Sequence, residues 1–332
     1  MKIGYLGAGT WGFCLASLLA SKGYEVISWT KNPELAKHLN NHHEHPHLPG
    51  HKPQKGMRFT THIDEALHRA DLIIESVTAA GIRPVFELVK NIKIPDCPIV
   101  FTSKGIEQNT CLILPEVAIQ VLGEDIRSRV AFLSGPSYAQ EVIRGLPTSV
   151  VGTAYDYIVM LKICDAFTTS TFRVYPNTDI LGVAYGSALK NIIAIACGIS
   201  DGLDLGYSSK AALMTRGLHE IRKLAVARGC KPETLTGLSG MGDICLTCGS
   251  LTSRNCRFGY LLAQGLSPQE AEEKIEMVVE GTYTCLSALQ ISKQTHVPMP
   301  ITETVYKIIY ENMRPMDAVR TLMQRTIKEE HL

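Results

Sequence analysis

The chain has 332 residues, 45% of them hydrophobic and 20% charged, with 33 basic against 32 acidic side chains. That length accommodates two domains of roughly 100–200 residues each. The composition excludes a disordered or fibrous chain, and the near-zero charge balance removes the basic face on which a nucleic-acid binder depends. A local basic pocket for a small anion stays open, because net charge does not say where the charges lie.

Ten cysteines are scattered through the chain, several inside apolar runs, which suits buried thiols in a reducing compartment rather than a disulfide framework. Cys245 and Cys248 form a lone CxxC with no second pair at ligand spacing, so no metal is assigned. The apolar stretch Ile3–Ala20 behind Lys2 imitates a secretory signal, but Gly4, Gly7, Gly9 and Gly12 would spoil its helical region. Ile180–Ser200 is long enough to cross a bilayer. Its central Lys190 would cost roughly 2.5–3.5 kcal/mol there, so this segment reads as a buried helix and no integral membrane association is expected.

In chain order, strand-type runs occur at Ile3–Gly7, Val26–Thr30, Arg58–Thr61, Leu72–Val77, Ile99–Ser103, Val130–Leu133, Thr148–Gly152 and Phe172–Tyr175. Helical patterns fall between most of them, at Trp11–Lys22, Pro33–Asn40, Val85–Ile92 and Leu112–Leu122. Strands spaced by helices predict βαβ units and a mainly parallel sheet. After Pro176 the pattern changes. Asp179 can cap the long apolar helix, and helical patterns follow at Ala211–Ala227, Arg257–Gln264, Pro268–Met277, Thr282–Thr295 and Ile301–Glu311. The expected organisation is an α/β Rossmann-type domain over 1–178 and an all-α domain over 179–332. The His-rich stretch 42–51 could ligate a metal by composition, yet Pro46 and Pro49 keep it out of a helix, and a solvated loop is the expectation.

Gly7-Ala8-Gly9-Thr10-Trp11-Gly12 lies between the first strand and the first helix. In that setting Gly7 makes a tight turn, Gly9 lets backbone approach a pyrophosphate and Gly12 allows close helix–strand packing. The helix N-terminus then offers N–H groups and its positive dipole end to the phosphates. A tight turn with no ligand is the plain alternative. The second strand ends Trp29-Thr30-Lys31-Asn32, without the carboxylate that would bond a ribose 2′-hydroxyl. Lys31 can pair with a 2′-phosphate, so NADPH is the expected cofactor, with NADH use left open.

Lys104 follows a strand end, the position from which ligands are met in open α/β sheets, though a solvated loop lysine would look the same. Ser134-Gly135-Pro136-Ser137 ends another strand and offers N–H groups and a hydroxyl to a substrate oxygen, or merely makes a turn. Lys190 is the only charge across some twenty apolar or small residues. A buried lysine must find a partner or lower its pKa, and the second brings an amine into the range of general acid–base work. A structural lysine reaching solvent along its stem is the alternative. Gly182 and Gly186 suggest that another element packs closely on this helix. Asp243, in Gly240-Met241-Gly242-Asp243, could pair with such a lysine. Ser253-Arg254-Asn255 presents a guanidinium fork with neutral donors, suited to a phosphate.

Together these segments resemble the bacterial NAD(P)-dependent glycerol-3-phosphate dehydrogenases. The resemblance runs through nearly the whole chain, carried by 7–12, Ser103-Lys104-Gly105, Ser134–Ser137, Ala188–Asn191, Gly240–Asp243, Leu246–Cys248, Ser253–Asn255 and Val279-Glu280-Gly281. It implies reduction of dihydroxyacetone phosphate to sn-glycerol 3-phosphate, reversibly, for glycerophospholipid synthesis in the cytoplasm, by a homodimer. By that match Lys190 is the catalytic acid/base, and Lys104, Gly135, Ser137, Asp243, Ser253, Arg254 and Asn255 line the substrate site. Thr10, Trp11, Lys31, Lys104, Ala139, Arg254, Val278 and Glu280 contact the nucleotide. Two departures stand out: Val77-Thr78-Ala79 replaces the family's usual Val-Pro-Ser after the fourth strand, and 42–51 is unusually rich in histidine. Rival readings are a related two-domain dehydrogenase for 6-phosphogluconate or a 3-hydroxyacid, and a catalytically silent NADP-binding sensor. The sensor has no need of two substrate-facing cations.

Overall fold

In a computed structural model, residues 1–327, 329 and 330 are described; 328, 331 and 332, at the end of the expected second domain, lie outside them. The chain forms two compact units, Met1–Ser103 with Leu114–Ile180, and Lys104–Ile113 with Leu181–Leu332.

The first unit is built on eight strands: β1 (Lys2–Leu6), β2 (Glu25–Trp29), β3 (Met57–Thr60), β4 (Leu72–Glu75), β5 (Ile99–Phe101), β6 (Val130–Ser134), β7 (Thr148–Ala154) and β8 (Phe172–Asn177). They form one sheet in the order β3-β2-β1-β4-β5-β6-β7-β8. All neighbouring pairs are parallel except β6 with β7, so the Rossmann-type, mainly parallel arrangement read from the sequence is the one observed. The central strands β1, β4, β5 and β6 are buried over nearly their whole length, as a sheet covered on both faces requires, whereas the edge strand β8 alternates buried and exposed residues. Ile3, Tyr5, Val26, Leu72, Ile74, Val100, Ala131 and Leu133 pack with Leu15, Ala16 and Leu19 of the helix Thr10–Ser21. Strand order reverses between β1 and β4, which makes the gap outside their carboxyl ends the switch point where ligands of such sheets bind.

Several differences from the sequence reading have local causes. The fourth strand stops at Glu75 rather than Val77 because the Val77 N–H is taken at 2.6 Å by Glu75 Oε1 and is lost to the ladder. The helix Tyr157–Phe167, absent from the expected elements, is capped by Asp156, which accepts from the Val159 N–H at 2.9 Å. Unit 1 also contains a short helix over Ile63–Leu67.

The second unit is helical. The Ile180–Gly202 helix meets the length and apolarity of a membrane span, but 94% of its apolar window is buried inside the protein, so it is a core helix. Close helix crossings are purchased with glycine: a Cβ on Gly198 would lie 1.9 Å from the Cys256 carbonyl oxygen, and one on Gly259 2.0 Å from that of Ile195. Gly186 likewise leaves only 3.0 Å to the Ser239 oxygen, the close approach expected at that end of the helix. A single cut near 178 leaves out one excursion. Residues 104–113 belong to the second unit, where Ser287 Oγ donates to the Ile106 carbonyl at 3.3 Å and Gln290 Nε2 to that of Asn109 at 3.0 Å. These bonds span about 180 positions in sequence, beyond the reach of any local pattern.

Candidate functional site

The glycine turn after β1 has the geometry its sequence called for. Gly7 adopts φ +113°, donates its N–H to the Trp29 carbonyl at 2.9 Å, and would bring a Cβ within 2.4 Å of the Ser76 oxygen. A Cβ on Gly12 would meet the Gly7 oxygen at 2.4 Å. Gly9 is different: nothing lies within 4 Å of where its side chain would begin. The helix it opens has neither a side-chain cap nor an acidic residue in its first turn, and Thr10 Oγ1 is buried without a hydrogen-bond partner. First-turn N–H groups, a positive helix end and an unsatisfied hydroxyl fit the pyrophosphate of a dinucleotide. Trp11 packs half-buried on the sheet core, and the Ala139 carbonyl accepts from Cys14 Sγ at 3.4 Å, which places Ala139 beside the same helix. Lys31 is exposed just beyond β2. Beside it Asn32 caps the next helix by accepting from the Leu35 N–H at 3.1 Å.

The His-rich loop is not uniformly solvated. His45 is 2% exposed and lies against Phe13, ring centroids 4.9 Å apart. Its Nδ1 accepts from the His47 N–H at 3.2 Å, which leaves Nε2–H to donate to the Ala8 carbonyl at 3.2 Å. Burial lowers the pKa of this imidazole. The loop thus braces the glycine turn from behind. Among the described residues no three His, Cys, Asp or Glu side chains are grouped to hold a metal.

After β6, Gly135 has φ +153° and would press a Cβ to 2.8 Å from Val150 Cα. Ser137 Oγ donates to the Gly135 carbonyl at 3.1 Å.

In the second unit, Lys190 is 5% exposed. Its ammonium donates to Asp243 Oδ1 and to Thr247 Oγ1, both at 2.6 Å, which engages two of its three donors. Lys104 Nζ donates to the other carboxylate oxygen, Oδ2, also at 2.6 Å. Burial drives Lys190 down, Asp243 opposes this and the Lys104 cation adds to it, leaving its pKa at about 8. Burial pushes Asp243 up, but the two ammoniums outweigh it and hold the carboxyl below its ordinary value. The aspartate begins the helix Asp243–Gly249 directly after a π-helical turn over Leu238–Gly242. The sequence did not single out Thr247 by role, although it lies one helical turn beyond Asp243 and so shares its face.

A second group adjoins this one. Arg254 Nη1 donates to the Val278 carbonyl at 2.9 Å, and Asn255 Oδ1 accepts from the Gly281 N–H at 2.9 Å. Ser253 caps the helix carrying both, accepting from the Cys256 N–H. Burial lowers Arg254 from its ordinary pKa while Glu280 counters it, so Arg254, Val278 and Glu280 are neighbours. Gly281 lies where a Cβ would reach 3.0 Å from the Asn191 carbonyl, next to Lys190 in its helix. Residues distant in sequence therefore converge within this unit on Lys190.

The chain is similar to known proteins over nearly its whole length. Family models described as the NAD-dependent glycerol-3-phosphate dehydrogenase N-terminus and C-terminus match residues 2–158 and 179–320. The chain belongs to this family. Glycerol-3-phosphate dehydrogenase (NAD(P)+) of Protochlamydia amoebophila is 68% identical over 331 residues, covering 100% of this chain and 99% of the relative. That of Chlamydia pneumoniae is 55% identical, covering 99% of each. Among solved structures, glycerol-3-phosphate dehydrogenase from Coxiella burnetii superposes with a TM-score of 0.92 at 34% identity, covering 98% of this chain and 99% of that one. Within this family the two-unit chain is a nicotinamide-dependent oxidoreductase of a small-molecule substrate.

Proposed function

We propose that the chain reduces dihydroxyacetone phosphate to sn-glycerol 3-phosphate with NADPH, and that Lys190 is the proton donor. The observation that carries this reading is a buried ammonium fixed at 2.6 Å between a carboxylate and a threonine, with one donor left to meet a substrate oxygen. A bound reduced nicotinamide supplies hydride to the substrate carbonyl carbon. Arg254, with Ser253 and Asn255, would hold the substrate phosphate and fix its orientation. Lys104 favours the negative charge that grows on the carbonyl oxygen, and Gly135 and Ser137 would contact the same substrate. Lys190 then delivers its proton to that oxygen, while Asp243 and Thr247 hold the amine in place. In the first unit the turn Gly7–Gly12 with Thr10, Trp11 and Ala139 would contact the nucleotide, and in the second unit the family resemblance assigns nucleotide contacts to Lys104, Arg254, Val278 and Glu280. We assign the enzyme to the cytoplasm, as a homodimer supplying glycerol phosphate for glycerophospholipid synthesis.

The assay is the loss of NADPH absorbance on adding dihydroxyacetone phosphate. Lys190→Met is expected to lower kcat by about 10²–10⁴-fold and leave NADPH binding in place; a variant keeping more than a few per cent of kcat would remove Lys190 as the acid. Because reduction needs the ammonium, kcat should fall as pH rises through about 8, while the reverse oxidation, which needs the free amine, should rise through the same pH. The preference for NADPH rests on Lys31 and the missing carboxylate after β2. Lys31→Ala should therefore weaken NADPH more than NADH in a fluorescence titration, and equal losses refute the phosphate role.

A further inference from the structure

Glu75 is the last residue of β4, 0% exposed, and is paired with Leu6 of β1 on one side and Phe101 of β5 on the other. It therefore lies at the switch point of the sheet. Its backbone carbonyl is satisfied by the Thr102 N–H at 3.1 Å and the Thr102 hydroxyl at 2.7 Å. The side chain presents a counting problem. Oε1 accepts from the Val77 N–H at 2.6 Å and lies 2.7 Å from Ser103 Oγ, which is itself 2.5 Å from the Val77 carbonyl oxygen. Two O···O contacts of this length need two hydrogens. The serine has one and the carbonyl none. The second hydrogen must come from the carboxyl, and on Oε1, because Oε2 is buried with no partner. An ionised carboxylate with one bare oxygen among apolar strands would also be costly.

We propose that Glu75 is held as the neutral acid and is a positioning residue for the dehydrogenase reaction: its Oε1–H donates to Ser103 Oγ, and the Ser103 hydroxyl donates onward to the Val77 carbonyl. This chain of two hydrogens ties the loop after β4, where Val77-Thr78-Ala79 departs from the family pattern, to the residue that precedes Lys104. Burial pushes the Glu75 carboxyl up to about 7 against the Ser103 hydroxyl and the backbone N–H groups of Val77, Ser103 and Thr102. The titratable group facing it from β1 is Tyr5, with Cys14 of the following helix behind, and burial keeps both above their ordinary values. Lys104, next in the chain, donates from its ammonium to Asp243 Oδ2 at 2.6 Å. When Glu75 ionises, the single serine hydrogen turns to the carboxylate and the Val77 carbonyl is released. The loop beside Gly7 loosens as pH rises through neutrality.

The inference rests on the reading that this sheet end binds the nucleotide, so its test has a readout that does not. In infrared spectra of the intact enzyme, a protonated-carboxyl carbonyl band should be present at pH 6, titrate near neutrality, and be missing in Glu75→Gln. Ser103→Ala, which keeps the acid but removes its acceptor, should shift that band to higher frequency. NADH, whose ribose bears no titrating 2′-phosphate, serves as the binding probe. Its Kd should rise about fivefold from pH 6 to 9 in the wild type beyond any rise in Glu75→Gln. Absence of the band at pH 6, or equal pH slopes in the two proteins, overturns the proposal. A titrating band in a protein that oxidises no NADPH with dihydroxyacetone phosphate would leave the acid assignment standing and sink the reaction instead.

Discussion

Glu75 in the first unit and Asp243 in the second are both buried to 1% exposure or less, and burial alone pushes each toward the neutral acid. They end in opposite states. Two ammoniums at 2.6 Å, one on each oxygen, hold Asp243 below the ordinary carboxylate range. Glu75 has only neutral partners, the Ser103 hydroxyl and backbone N–H groups, with Oε2 left bare, and rises to about 7. The number and charge of the partners, not the depth of burial, decides the protonation state. The consequence is a division of labour. Asp243 is a fixed anion that can anchor two cations through a reaction cycle, whereas Glu75 can exchange its proton near neutral pH.

The comparison breaks most severely at Asp243. Asp243→Asn removes the anion that two ammoniums share, one of them only 5% exposed. Losing a partner from a buried ion pair typically costs about 3–5 kcal/mol, and the pKa of Lys190 should then drop below about 8, because the carboxylate that holds it up at 2.6 Å is gone. Turnover should fall by about 10²–10⁴-fold, with the alkaline limb of kcat moved to lower pH and the denaturation midpoint lowered. A variant that keeps both the limb and the midpoint would mean that Asp243 does not set the charge state of its neighbours.

Lys104→Met tests the same cluster from its more exposed end. Losing a cation near Lys190 removes a like charge, so the pKa of Lys190 should rise and the alkaline limb should move up, opposite to the shift in Asp243→Asn. Lost stabilisation of the carbonyl oxygen should lower kcat by about 10²–10³-fold. Lys104 is about one-fifth exposed in its side chain, so the stability loss should be smaller than for the aspartate. Limbs that move in the same direction for both variants would dissolve the proposed arrangement.

How much of this was legible beforehand differs between the two carboxyls for a physical reason. Lys190 was conspicuous as a lone charge in an apolar helix, and such a charge demands a partner; Asp243 was a candidate for that role because it stood in a glycine-rich turn. The glycine turn was equally legible, since each glycine answers a steric demand that the structure shows. Glu75 sits inside an apolar run that reads as strand through Val77 and carries no role in the sequence pattern. A signal existed: Leu72-Ile73-Ile74-Glu75 ends in a carboxylate, and a carboxyl closing a buried strand must be satisfied or neutral. The pairing of 104–113 with Ser287 and Gln290, and the bracing of Ala8 by His45, depend on contacts between segments far apart in sequence, and no local spacing encodes them.

The smallest expected effect is on stability as a function of pH, and there the two carboxyls should carry opposite signs. Asp243, depressed in the folded state, contributes stability above the ordinary aspartate value of 3.8 that is lost as pH falls below it. Glu75, raised from 4.5 to about 7, keeps its proton longer folded than unfolded. Its favourable contribution is complete below 4.5 and drains away as pH rises through 7, at most roughly 3 kcal/mol over that window. Glu220 in the second unit, which accepts from the Ile301 N–H at 2.7 Å, is likewise pushed up to about 7 by burial and drains over the same range. Glu75→Gln should therefore make the fall in denaturation midpoint between pH 5 and 7 shallower, and the double variant with Glu220→Gln shallower still. An unchanged slope in Glu75→Gln would mean that Glu75 ionises in the folded protein as it does in the unfolded one. The contrast with Asp243 would then reduce to a difference in partners without a difference in charge.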